Sequence, residues 1–205
     1  IDETTRKYMG TLWNTYAFFI LYAEIDQFNP KEHPLDKAEL TLMDRWILSR
    51  LNSLVREVDD DLNEYKIFEA SRAMTDFVDD LSNWYVRRSR ERFWGKGMAG
   101  DKEAAFATLY HVLETMSRLT APFTPFMAEN MYRNLVCSVD KDAPISVHMT
   151  DFPVCDETYI SAELEQHMRD LLEVVVLGRS CRSESGLKVR QPLSRRISAR
   201  WPRTS

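Results

Sequence analysis

Asn83, Arg87, Arg90 and Trp94 stand at i, i+4, i+7 and i+11. That spacing lines an amide, two guanidiniums and an indole along one side of an α-helix. These are the groups that take hold of unstacked RNA. Arginine pairs bidentately with phosphate or a base edge, asparagine reads a base edge, and an aromatic plane stacks on a base. Arg88 and Arg92 flank the column and are weaker candidates for phosphate contacts. The cationic density is local. Arg87 to Lys96 holds five basic residues against Glu91, and Arg179 to Arg203 holds eight against Glu184, yet the 205-residue chain has a formal net charge of -5. Basic clusters on an acidic body suit a protein that meets a polyanion at one face and repels it elsewhere. The alternative is a solvated helix whose arginines pair with Asp76, Asp80 and Glu91, pairs that contribute little when exposed.

Other chemistries lack their residues. No GxGxxG or GxxxxGK[ST] pattern occurs, and Gly95-Lys96-Gly97 follows a helix with the wrong spacing for a phosphate loop. His33, His111, His148 and His167 are scattered and give no metal-hydrolase pattern. Of these, His111 and His167 read as packing or surface residues. Ser180-Cys181 near His167 has no third group to orient a base. Asp79 and Asp80 are adjacent, so they point apart on a helix and read as solvated or capping charges. Cys137, Cys155 and Cys181 form no CxxC pair and no even disulfide framework, which points to a reducing, cytoplasmic setting. No catalytic residue and no metal ligand is assigned, and a free-standing enzyme has no constellation to serve it.

The elements that must carry the basic column are helical. Hydrophobic residues make up 44% and aromatics 11%, with six glycines and eight prolines, enough for a sizeable core and too few breakers for collagen-like or turn-dense β structure. The longest apolar run, Tyr16 to Ala23, is too short to span a bilayer. The start Ile1-Asp2-Glu3 has no methionine and no leader pattern, so a piece of a longer protein is expected. Helical stripes are expected in six places. The first runs from Met9 to Ala23, with Trp13 on its apolar side, and breaks between Asn29 and Pro34. The second runs from Leu40 to Val58, with Thr41 and Asp44 as a capping pair. The third carries Ile67, Ala70, Met74, Phe77, Leu81 and Trp84 and runs on into the basic cluster, ending in a mobile loop at Gly95, Gly97 and Gly100. On this reading Trp84 is a core anchor. The fourth spans Phe106 to Met116, and the fifth opens on Thr124-Pro125 as N-cap and N1 and ends near Leu135. The sixth runs from about Ser161 to Arg182. Between the last two lies a long connection, 137–160, with one extended piece at Ile145 to His148; after Gly186, Leu187 to Arg190 alternates like a strand.

The expected fold class is all-α: an antiparallel helix bundle with a short extended C-terminal tail. The expected organisation is a core bundle over 1–140, a connection and packed sixth helix over 141–186, and an extended tail over 187–205.

The string Asn83-Trp84-Tyr85-Val86-Arg87-Arg88-Ser89-Arg90-Glu91-Arg92-Phe93-Trp94 resembles the anticodon-domain helix of isoleucyl-tRNA synthetases. Leu119-Thr120-Ala121-Pro122-Phe123-Thr124-Pro125-Phe126 is similar to a helix–helix turn of the same domain. Ser146-Val147-His148 with Asp151-Phe152-Pro153, Trp13-Asn14, Asp44-Arg45-Trp46-Ile47 and Leu187-Lys188-Val189-Arg190-Gln191-Pro192-Leu193 complete the likeness, which covers essentially 3–194. Valyl and leucyl synthetases share the bundle; the arginine-rich run after Trp84-Tyr85 is closer to the isoleucyl pattern.

The resemblance implies an anticodon-binding domain of a class I aminoacyl-tRNA synthetase. Such a parent ligase uses ATP and Mg to aminoacylate tRNA through HIGH and KMSKS motifs. Neither motif occurs in this chain, so the fragment is expected to have no catalysis and no cofactor of its own. Its expected partners are isoleucine tRNA and the catalytic and editing domains of its parent chain, in a cytoplasmic protein away from membranes and monomeric. Asn83, Arg87, Arg90 and Trp94 are the expected tRNA-binding residues, because motif and helical column coincide there. Arg88 and Arg92 follow as phosphate contacts. Lys188 and Arg190 match the Leu-Lys-Val-Arg phrase and either touch RNA or pack on the bundle, and Asn14 lines the same groove. A protein–protein interaction module is the competing reading.

Overall fold

The apolar spacing becomes seven α-helices among the residues that the computed structural model describes, 5–95, 97–98, 100–188 and 191–192. They are α1 (Thr11–Asp26), α2 (Leu42–Asn63), α3 (Ile67–Asp79), α4 (Arg87–Trp94), α5 (Asp101–Leu119), α6 (Pro125–Tyr132) and α7 (Ala162–Glu184). Wider π-helical turns lead into α1 at Thr5–Gly10, join α3 to α4 at Asp80–Val86, and extend α6 at Arg133–Cys137. The described residues contain no strand, in keeping with the all-α expectation. They fall into two compact units, one through Glu165 and the other from Gln166.

Helix α5 is the axis of the first unit. Ala104, Ala105, Phe106, Leu109, Val112, Leu113, Met116 and Leu119 are all fully buried, so this helix is enclosed on nearly every side. It packs against α1, α2, α4 and α6. The alanines near its start let neighbouring backbones approach, and Phe106 meets Phe19, Phe28 and Phe93. A short sequence window suggests only an amphipathic stripe here; enclosure by four other helices is a tertiary fact.

Helices α3 and α4 and the π turn between them form one continuous rod with a shifted register. Phe77, Leu81, Tyr85, Ser89 and Phe93 are all buried, a strict four-residue period. At about 100° per residue, an undisturbed α-helix would carry Phe93 about 160° away from Phe77. The seven-residue π segment Asp80–Val86 absorbs that drift, because its i→i+5 bonds fit more residues into each turn. Tyr85 is therefore the core anchor and Trp84 is only half-buried, which corrects the α-periodic reading of Trp84. Trp13 likewise departs from its expected core position: it packs on Tyr16 but keeps 38% of its surface exposed.

Thr41 and Asp44 form the expected capping box at the start of α2, each side chain bonded to the other's backbone N–H. Pro125 opens α6 as expected, although the Thr124 hydroxyl donates to the Thr120 carbonyl and does not cap the helix. The helix C-termini depart from the glycine rule. α1, α2 and α7 all close in a Schellman motif, with Gln27, Tyr65 and Gly186 in the left-handed region at φ 52, 59 and 66. The paired bonds are Phe28 to Ala23 with Gln27 to Glu24, Lys66 to Asp61 with Tyr65 to Leu62, and Leu187 to Arg182 with Gly186 to Ser183. Only the last carries the glycine signal.

The connection after α6 is ordered by polar anchors. Ser146 and the Val147 N–H both donate to Glu129, and Val147 buries itself against Ala121, Ala128 and Tyr132. Ile145 to His148 thus leads into a 3-10 turn at Val147–Met149, where an extended piece was expected. Further along, Asn52 accepts from the Asp156 N–H, Ser49 accepts from the Ser161 N–H, and Ser49 and Ser53 donate to Glu165. In the second unit Arg182 donates to the carbonyls of Lys188 and Gln191. The strand expected over Leu187 to Arg190 falls partly outside the described residues.

A residue with a Cβ in the left-handed region costs about 1–2 kcal/mol, which glycine does not incur. Tyr65 is 88% exposed, so its side chain contributes little packing in return. Tyr65→Gly should raise stability by about 0.5–1 kcal/mol in equilibrium urea unfolding.

Candidate nucleic-acid interface

The basic column survives folding in part. Within the regular turns of α4, Arg87, Arg90 and Trp94 lie at i, i+3 and i+7, and all three are exposed. Arg88 is exposed beside them. Among the described residues, no carboxylate pairs with Arg87, Arg88 or Arg90. Of the acids expected to neutralise them, Asp80 pairs with Arg50 at 3.2 Å, and among the described residues Asp76 and Glu91 form no ion pair with the column; Asp79, not among those expected, accepts from the Asn83 amide at 2.6 Å. Three guanidiniums thus face solvent on one short helix. Asn83 is also exposed, but it sits in the π turn, so the even spacing of the column stops short of it.

Arg92 is the exception and corrects its reading as a phosphate contact. Its two terminal nitrogens grip the carboxylate of Asp44 at 2.8 and 2.7 Å, and its Nε lies 2.7 Å from an Asp101 oxygen. Asp44 is fully buried and also accepts from the Tyr85 hydroxyl at 2.6 Å and from Thr41. Burial opposes ionisation of Asp44. The hydrogen bonds from Arg92, Tyr85 and Thr41 and the Arg92 charge outweigh it and hold the carboxyl below its ordinary value of 3.8. Burial is the largest single influence and opposes the Arg92 charge, but the bonds to Asp44 together with the Tyr85, Asp44 and Asp101 charges outweigh it and raise its pKa. Burial, then the Asp44 charge, pushes the Tyr85 phenol well above its ordinary range. No sequence spacing shows that Arg92 is inward, because its partner lies 48 positions away.

The end of α4 is pinned a second time. Lys102 donates to the Gly95 carbonyl at 2.7 Å and pairs with Asp26 at 2.7 Å. Gly97 and Gly100 then take left-handed φ of 77 and 54 on the way into α5. The basic face is therefore mounted on a helix fixed at its core side by Arg92 and just beyond its end by Lys102.

Helix α1 supplies the neighbouring wall. The Arg90 guanidinium lies 5.9 Å from the Phe18 ring centroid, and the Trp94 indole donates to the Tyr22 hydroxyl at 2.8 Å. Asn14 is exposed one turn before Phe18. Sequence spacing does not single out Phe18 and Tyr22. Their only signal is an i, i+4 aromatic pair inside an apolar helix, which reads equally well as core. Lys188 is exposed in the second unit, and Arg190 lies outside the described residues.

Elsewhere the first unit has a mostly apolar cleft of about 530 Å³ between α1, α5 and the turn after α6, with Phe19, Phe28, Tyr110 and Leu135 in its walls. Among the described residues, no group of three His, Cys, Asp or Glu side chains is placed to hold a metal ion, and no helix is long and apolar enough to cross a membrane. His33, unassigned from sequence, pairs with Glu103 at 2.9 Å and stacks on Phe28.

Comparison with known proteins gives a consistent picture. The family model described as the anticodon-binding domain of tRNA ligase matches residues 44–197. The isoleucine--tRNA ligase of Clostridium tetani is 50% identical over 194 residues, and that of Clostridium novyi is 52% identical over the same length. The isoleucine--tRNA ligase of Dehalococcoides mccartyi strain 195 is 52% identical over 194 residues. Each alignment covers 95% of this chain but only 19% of the relative, so the chain spans about a fifth of the length of the curated relatives it matches.

Removing Arg92 leaves a buried carboxylate without its cation, a loss of about 3–5 kcal/mol. Arg92→Met should show that loss in urea unfolding at neutral pH. The Asp44 carboxyl has a folded pKa below its unfolded one, so its contribution is complete above the ordinary value of 3.8 and disappears as pH falls through the depressed value. The unfolding free energy of Asp44→Asn should lack this part of the parent's acid limb.

Proposed function

The chain belongs to the family of anticodon-binding domains of tRNA ligases, and on that premise we propose that it grips the anticodon arm of an isoleucine tRNA as one part of a longer isoleucine--tRNA ligase. The observation that carries this reading is the row of exposed guanidiniums on α4, Arg87, Arg88 and Arg90, none neutralised by a carboxylate among the described residues and all beside an exposed indole. A helix that only needed solubility would have set its arginines against the acids on its own surface. Here Asp80 turns to Arg50, and among the described residues neither Asp76 nor Glu91 pairs with these arginines, which leaves the cations for a polyanion.

Arg87, Arg88 and Arg90 serve as phosphate or base-edge contacts, Asn83 and Asn14 as edge readers at the margins of the face, and Lys188 and Arg190 as contacts from the following region. The isoleucine assignment is supported by the relatives' names and by the arginine-rich run after Tyr85. Aminoacylation, with its ATP and Mg, belongs to the catalytic domain of the parent ligase. This chain has no phosphate loop to hold a nucleotide and contributes grip and orientation only. The parent ligase acts as a monomer in the cytoplasm.

The test is direct binding of the chain to an isoleucine tRNA transcript across a salt titration. Removing a single phosphate-binding cation should lower the slope of log K against log salt by about 0.7–0.9. Arg87→Ala and Arg90→Ala should each weaken binding and shallow that slope while leaving the far-ultraviolet circular dichroism unchanged. Equal affinity and slope for both variants would remove this face from the binding site.

A further inference from the structure

Trp94 keeps 57% of its surface exposed, yet its ring is held in place. Its one hydrogen-bonding group, the indole N–H, already donates to the Tyr22 hydroxyl at 2.8 Å. What remains to offer a ligand is the ring face. Behind it runs a ladder of aromatic contacts to the core: Tyr22 to Phe18 at 4.8 Å, Phe18 to Phe93 at 5.2 Å, and Phe93 to the fully buried Phe106 at 4.9 Å. Each ring fixes the next, so Trp94 is presented from the protein interior outward.

The same stretch of α1 exposes Leu21 and Ile25, 54% and 66% accessible, one helical turn apart beside Tyr22. Large exposed apolar groups on the helix that tethers the indole need a reason. The charge next to them selects the occupant. Arg90 caps the Phe18 ring, and Arg87 and Arg88 follow on the same helix without acidic partners among the described residues. An apolar or acidic protein segment would use the rings or the cations; a nucleic-acid loop uses both, because each nucleotide joins an uncharged aromatic plane to a phosphate.

We propose that Trp94 and Tyr22, with Leu21 and Ile25 as the adjoining wall, form a stacking platform for a single unpaired base of the RNA loop, with Arg90 seated for that nucleotide's phosphate. This rests on the tRNA-binding reading above and deepens it. It makes α1 a working half of the interface, and it assigns Trp94 to base stacking, with the indole edge taken up by Tyr22.

The experiment measures affinity of the chain for a hairpin transcript of the isoleucine anticodon arm, using Trp94→Leu, Trp94→Phe and Tyr22→Phe. Loss of one stacked base should weaken Trp94→Leu by about tenfold or more, with the salt slope unchanged because no phosphate contact is removed. Trp94→Phe retains an aromatic face and should bind within about threefold of the parent. Tyr22→Phe keeps the ring and loses the tether, so it should fall between the two. Hairpins with one loop nucleotide made abasic provide the pairing: at one position, and only there, the abasic change and Trp94→Leu should fail to add. Leucine and phenylalanine variants of equal affinity, both like the parent, would overturn the platform, as would a fall in salt slope for Trp94→Leu. If Arg87→Ala and Arg90→Ala still weaken binding in that case, the RNA reading stands without the platform. An unmodified chain that binds no hairpin at low salt overturns both.

Discussion

Asp44 is a carboxylate with no exposed surface, and the geometry around the basic helix follows from that. Such a group stays ionised only where cations and hydrogen-bond donors replace water. Three elements supply them: Thr41 from the start of α2, Tyr85 from the π turn and Arg92 from α4. Satisfying one charge therefore locks the capping end of α2 to the middle and the end of the long α3–α4 rod. Arg92 also reaches Asp101 at the first residue of α5, so the enclosed helix is tied into the same knot.

That knot explains how one short helix can both join the core and carry an exposed basic face. α4 has eight residues, too few to be stable alone. Ser89 and Phe93 hold its inner side in the core, and Arg92 anchors it to a buried charge. The outer side is then free to carry three guanidiniums whose mutual repulsion would otherwise favour unravelling. The π turn is the geometric condition for this division. It returns Tyr85, Ser89 and Phe93 to the core and leaves Arg87, Arg90 and Trp94 on the outside.

The aromatic ladder is the second consequence of the same placement. Once Phe93 is seated against Phe106, Phe18 of α1 completes an edge contact, and Tyr22 and Trp94 follow outward from it. Side chains mounted this way have little freedom left to lose, because folding has already fixed them. The chain's family is that of anticodon-binding domains of tRNA ligases, and the rings stand beside exposed arginines that pair with no carboxylate among the described residues.

Local features were legible in the chain itself. Apolar periodicity gave the helices; Thr41 with Asp44 gave a capping box; Pro125 marked a helix start; and the excess of arginine after Tyr85 marked an exposed basic face. Each depends on neighbours within a turn or two, where spacing and chemistry are enough. Three things needed the tertiary structure. Arg92 looks like its neighbours until Asp44, far away in sequence, is brought beneath it. Trp84 and Tyr85 exchange roles because a π turn is set by what the core accepts, and no local pattern announces one. Gln27 and Tyr65 take left-handed conformations without glycine because the paired backbone bonds that close their helices hold them there. Sequence alone therefore determined which segments are helical and which carry charge; only long-range packing and the need to neutralise a buried carboxylate decided which of the arginines face the solvent.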